Sequence, residues 1–165
     1  MTTAKSTQVS NFEATPALMN DIANLGGIMR VACGSVALAT GDVGANDIVH
    51  LTPIPTNASI ISIKLFNDDF DSGTDNTASV GLYTTAAAVV DIDAYASAVT
   101  DLRGVVTAGT ELAFEARNVN VMGQKVWEDA GASVDPGGYY YLSVTFPAAG
   151  TTAGDLSWAI TYVID

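Results

Sequence analysis

The side chains that could do chemistry are few and stand far apart. His50 is the only histidine and Cys33 the only cysteine, so a Ser–His or Cys–His nucleophile would have to be built on one of them. His50 shares the outward parity of its run with Ile48 and Thr52, away from any nucleophile motif. Cys33 has no glycine-rich elbow or helix N-terminus to lower its pKa. It lies among small and apolar residues and is expected to be a buried small hydrophobe; as the lone cysteine it has no intrachain disulfide partner. One His and one Cys cannot close a zinc site. No GxSxG, Walker, HExxH or paired CxxC pattern occurs. No catalytic residue, metal ligand or cofactor is assigned, and the one enzymatic alternative is a glycosidase working with a pair of carboxylates.

Two further groups are worth weighing. Asp69, Asp71 and Asp75 alternate within 68–76 and could aim carboxylates at Ca²⁺, but the twelfth position, where an EF-hand loop carries a bidentate acid, is Val80. A hairpin loop made of turn formers accounts for the same residues. The second group is Tyr139-Tyr140-Tyr141. In a strand the three cannot all face inward; with Tyr140 in the core, Tyr139 and Tyr141 stand side by side on the other face. They suit a protein-interface anchor or a sugar-stacking platform, or else lie under a covering loop. Trp127 and Trp158 sit in apolar contexts and are expected in the core.

The chain that must position these groups has 165 residues, enough for one domain. It carries 18 acids against six bases, for a net charge of −12, and only 15% of its residues are charged. The bases Lys5, Arg30, Lys64, Arg103, Arg117 and Lys125 are scattered, so no basic stripe exists to neutralise phosphates. Nucleic acid and anionic membrane are both excluded as partners on this ground. The acidity serves solubility or a basic partner surface. The polar start of the chain has no signal-peptide core and no apolar run reaches membrane-spanning length, which places synthesis in the cytoplasm without export.

Residues 1–26 read as an arm and 27–165 as a β domain. In the arm, Thr15-Pro16 can serve as N-cap and N1 and Gly26 as a stop, with Leu18, Met19, Ile22 and Leu25 on one face of a short helix. From Gly27 on, short alternating runs are cut by Gly, Asp, Asn and Pro. Strands are predicted at 27–39, 47–54, 58–66, 78–84, 111–121, 138–146 and 156–164. A bulge near Gly34 would bring Met29, Val31 and Cys33 to the same core as Val36 and Leu38; Ile61, Ile63 and Leu65 are predicted inward. Ile92, Tyr95, Ala96, Val99 and Leu102 have helical spacing, and 124–130 reads as a helical turn stopped by Gly131. The expected fold is all-β, a sandwich of jelly-roll type with about eight strands and one or two short helical inserts.

The motifs taken together resemble a known family. They run Gln124-Lys125-Val126-Trp127-Glu128-Asp129-Ala130-Gly131, then Val134-Asp135-Pro136-Gly137-Gly138-Tyr139-Tyr140-Tyr141-Leu142, with the ending Ser157-Trp158-Ala159-Ile160-Thr161-Tyr162-Val163. Ile54-Pro55, the Asp-Ser-Gly turn at 71–73, Val80-Gly81-Leu82-Tyr83 and 93–99 precede them in a familiar order. The pattern resembles the small head decoration, or cement, proteins of tailed bacteriophages. The family's Trp-Glu turn often continues with two leucines; Asp129-Ala130 stand there instead, so this turn is expected to pack with less apolar surface. The resemblance implies a non-enzymatic capsid protein on the outer surface of the virion. Its partner would be the major capsid protein, and its state a homo-oligomer, with a trimer at a local three-fold as the symmetry expected. Phe12, Leu18, Met19 and Ile22 of the arm, with outward Tyr139 and Tyr141, are the expected contact residues. The alternative is a carbohydrate- or receptor-binding β-sandwich module of a phage fibre or spike.

Overall fold

Where apolar and polar residues alternate cleanly, one face of the run turns inward and a strand forms. The computed structural model describes residues 5–19 and 27–164. Among them are eight strands: β1 (Ile28–Leu38), β2 (Ile48–Pro55), β3 (Ser59–Asn67), β4 (Thr77–Thr84), β5 (Val89–Val99), β6 (Val106–Glu111), β7 (Tyr139–Ala148) and β8 (Gly154–Ile164). They form two four-stranded antiparallel sheets, in the orders β1-β8-β3-β6 and β2-β7-β4-β5. This is the expected all-β sandwich of eight strands. Between the sheets, Ile54, Ile63, Leu65, Val80, Leu82, Leu142, Val144, Phe146 and Ile160 are all buried. No helix among the described residues is long and apolar enough to cross a membrane.

Several expectations are corrected. The segment with helical spacing at 92–102 is strand β5 and the turn after it. Ala96 pairs with Val80 and Val99 with Ala78, so the ladder between β4 and β5 is bulged, and Ala98 has a φ of 48°. Bulges insert residues into a period of two, and adjacent Tyr95 and Ala96 both end up buried, followed by Val99. The result imitates a helical stripe. Strand β6 stops at Glu111 instead of starting there. The Glu111 carboxylate accepts from the Ile63 N–H (2.8 Å) and the Ala113 N–H (3.1 Å), occupying a ladder position and turning the chain away. Val119–Val121 is then a 3₁₀ turn.

Strand β1 contains no bulge: its register with β8 runs unbroken from Ile28↔Ile164 to Leu38↔Gly154. The inward parity passes through Gly34, where an added Cβ would lie 2.5 Å from Trp158 Cζ2, and Trp158 covers that position. Met29, Val31 and Cys33 therefore face solvent, and Cys33 is exposed, not buried. In β3 a register shift between Ile60 and Ser62 buries Ile60 and leaves Ile61 half-buried. The helix of the arm is also displaced. Helix α1 spans Thr7–Glu13, with the Ser6 hydroxyl accepting from the Val9 N–H (3.3 Å) as N-cap and Lys5 paired with Glu13. Thr15 and Pro16 follow it in a bend, and Ala17–Met19 are not helical. Ile22, Leu25 and Gly26 lie outside the described residues.

The long connection from β6 to β7 contains little regular structure and is fixed by polar contacts. Its helical turn α2 (Val126–Asp129) forms where the sequence predicts, followed by Gly131 at φ 72°. The Val126 and Trp127 N–H groups donate to Ala58 and Thr56 carbonyls, at 2.8 and 3.0 Å. At its end the Asp129 carboxylate, with 2% of its side chain exposed, meets Arg117 Nη1 at 2.5 Å and accepts from the Tyr95 hydroxyl at 2.9 Å. Arg117 Nη2 donates to the Ile60 carbonyl (2.8 Å), and the guanidinium lies over the rings of Phe114 and Tyr95, 4.7 and 5.1 Å from their centroids. Burial pushes the Asp129 carboxyl up to about 6, against the opposing pull of Arg117 and the Tyr95 hydroxyl.

Two predictions follow from this packing. A Cβ on Gly81 would lie 2.2 Å from the Asp91 carbonyl oxygen and 2.3 Å from Ile92 C, both backbone of the bulged β5. Gly81→Ala is expected to cost about 1–3 kcal/mol, whereas Gly41→Ala, with nothing within 4 Å, should change stability by less than about 0.5 kcal/mol; urea denaturation compares the two. Asp129→Ala removes the oxygen that accepts from both Arg117 and Tyr95, an acceptor a protonated carboxyl still provides, and is expected to cost about 3–5 kcal/mol, most of it recovered in the Arg117→Met/Asp129→Leu double variant. The pH dependence has a definite sign. With the native carboxyl at about 6 and the ordinary value at 3.8, folding takes up a proton between them. This group therefore makes the protein more stable as pH falls through that window, and the slope should vanish in Arg117→Met/Asp129→Leu.

Candidate assembly surfaces

The outer face of the β2–β7 pair collects the aromatic residues the sequence points to. Alternation along β7 sends Tyr140, Leu142, Val144 and Phe146 towards the core and Tyr139, Tyr141, Ser143 and Thr145 to the other face. Tyr139 is 56% exposed, while Tyr141 is half-buried because His50 of β2 lies against it, ring centroids 5.0 Å apart. His50 also meets the edge of Tyr83, with centroids 5.5 Å apart. The outward tyrosines are thus one open ring and one propped ring, not two matching platforms.

His50 Nδ1 lies 2.7 Å from Ser143 Oγ, a Ser–His contact that sequence parity alone does not find. Ser143 has no exposed surface, so its oxygen is not presented to a substrate; the contact fixes the histidine ring. Beneath it, the Tyr83 hydroxyl and Thr145 Oγ1 are 2.7 Å apart and buried. Tyr83, Ser143 and Thr145 are all buried, and buried polar groups of this kind pair with one another.

The acidic loop at 68–76 is organised around one carboxylate. Asp71 Oδ1 accepts from the Gly73 N–H (3.0 Å) and the Thr151 hydroxyl (3.1 Å), and Oδ2 from the Asp75 and Asn76 N–H groups, both at 2.9 Å. These bonds, led by those from Asn76 and Gly73, hold the carboxyl below the usual carboxylate range. Four donors fill the acceptor positions of a carboxylate, so Asp71 is committed to the turn. Among the described residues no three His, Cys, Asp or Glu side chains gather as a metal site.

The arm presents its apolar residues to solvent. Helix α1 buries no residue; Phe12 is 80% exposed, Leu18 59% and Met19 87%. No ring contact joins Phe12 to Tyr139 or Tyr141. A third apolar surface escapes the sequence reading: the outward side of β1, where Met29 and Val31 are each 62% exposed beside Cys33. Uninterrupted parity from Leu38 back through Val36 would have revealed it.

No family model matches the sequence, and no curated protein does. Among solved structures, a chain in the capsid of Ralstonia phage GP4 is similar with a TM-score of 0.62 and 16% identity, over 89% of this chain and 91% of that one. A chain in the capsid asymmetric unit of cyanophage Pam1 is similar with a TM-score of 0.57 and 19% identity, over 86% of this chain and 88% of that one. At these identities the likeness is one of fold, and it extends over nearly the whole length of all three chains.

Proposed function

We propose that the protein is a structural component of a tailed-phage head, a decoration or cement protein that binds the outside of the assembled shell and stabilises it. The observation that carries this reading is the near full-length likeness of the sandwich to chains of two phage capsids. The exposed surfaces fit it. Phe12, Leu18 and Met19 sit on an arm with little buried surface of its own, and such a segment gains its packing from a partner. Tyr139 offers an open ring with Tyr141 as its backing. The partner is the major capsid protein, met through these residues and, outside the described residues, Ile22.

The role needs no catalysis. A protein that binds only the assembled shell stabilises it by mass action, and a homo-oligomer bound at several points gains avidity. The carbohydrate- or receptor-binding alternative requires a sugar platform on the same face; the single open ring of Tyr139 supports it less well than a pair would.

Quantitative mass spectrometry of purified particles tests the reading. A copy number near that of the major shell protein is expected, a handful of copies would favour a fibre or vertex module, and absence from the particle would overturn the proposal. Removing residues 1–25 is expected to weaken shell binding at least about tenfold, and Tyr139→Ala to cost about 1–2 kcal/mol of it. Both are read by co-sedimentation with heads stripped of the protein, and unchanged binding of the truncated chain would eliminate the arm as a contact.

A further inference from the structure

The sandwich has four strand edges, and three of them carry devices that discourage pairing with another chain. Edge strand β2 contains Pro53 and Pro55 and a register shift between His50 and Thr52. Edge strand β5 is bulged repeatedly and bears Asp91 and Asp93. Edge strand β6 has six residues and a register shift against β3. Strand β1 has neither a proline nor a bulge, and a single charge, Arg30. Its register is unbroken over 11 residues, and among the described residues only β8 pairs with it. Its outward side carries Met29 and Val31, each 62% exposed, beside the exposed Cys33.

We infer that β1 is a homodimerisation edge, on which β1 of a second copy pairs antiparallel about a two-fold axis to continue the sheet from one protomer into the next. Charge selects a copy of this chain as the occupant. Although the protein carries 18 acids, β1 has none, and Arg30 is its only charge. A basic strand complementary to the protein's overall charge would meet Arg30 and no carboxylate. A second β1 brings no acid, and in a register centred on Val31 its Arg30 faces Ala32 instead of another Arg30. That register sets Met29 opposite Cys33 of the copy and Val31 opposite its counterpart, so the apolar side chains of both protomers cover one another. A two-fold pairing replaces the three-fold symmetry expected from the family resemblance and does not depend on the head reading.

The test uses the purified full-length chain with no shell present, so its failure and that of the head reading are distinguishable. Sedimentation equilibrium over a concentration series is expected to give twice the mass of one chain. Val31→Lys, at an exposed position, should keep the thermal midpoint of the fold while weakening the dimer at least about tenfold, since like charges then oppose one another in the ladder. Mixing Val31→Lys with Val31→Glu should restore a dimer containing one of each. A monomer at every concentration, a trimer, an assembly indifferent to Val31→Lys, or a mixture that fails to recombine would each overturn the inference.

Discussion

The contact between Arg117 and Asp129 joins parts of the chain that backbone bonds also bring together, Ala116 N–H to the Tyr95 carbonyl and Val126 N–H to that of Ala58. Arg117 comes from the irregular segment after β6, and Asp129 ends α2. Tyr95, which donates to the same carboxylate, belongs to the β2-β7-β4-β5 sheet, and the Ile60 carbonyl that receives the second guanidinium nitrogen belongs to the other. One ion pair thus pins the connection across both sheets. Burying two charges is costly unless their remaining donors and acceptors are also used. Here a hydroxyl, a carbonyl and two aromatic faces supply part of this, while Arg117 Nε is buried without a hydrogen-bond partner. Asp129 thus anchors the end of α2 by polar contacts beside the buried Val126.

The second constraint is how a sandwich ends. A sheet edge exposes alternate N–H and C=O groups, and in this chain bulges protect some edges at the expense of local regularity. The bulged β5 is the most elaborate case. Its backbone passes so close to Gly81 that no side chain fits there. In the same sheet the buried Tyr83–Thr145 pair and the His50–Ser143 contact satisfy polar groups, and the latter holds the His50 ring against Tyr141.

The parts of the fold legible in the sequence are those where the period of two is uninterrupted. Strands β7 and β8 follow directly from alternating Tyr140, Leu142, Val144 and Phe146 and from Trp158 and Ile160. The parts that were not legible are those where the backbone breaks the period. Residues 92–102 imitate a helix because β5 is bulged, and β1 imitates a bulged strand because its run has apolar residues on both parities while only one faces the core. Side-chain capture by Glu111 ended a strand that alternation alone would have started there. Phe12, Leu18 and Met19, which composition singles out as proposed contacts, are exposed; Arg117 and Asp129, 12 positions apart and on no common periodic face, leave no periodic signal.

Charge and assembly are arranged in the same way. The acids concentrate in turns and connections, including the 68–76 loop, whereas β1, β2, β3, β4 and β7 contain none. A net charge of −12 keeps separate molecules apart in solution through their long-range field, but that field is screened within about 10 Å at ordinary salt. Once two surfaces come that close, the local residues decide. Strands that carry no acid are then the surfaces whose contacts this field opposes least, because the repulsive groups occupy other elements.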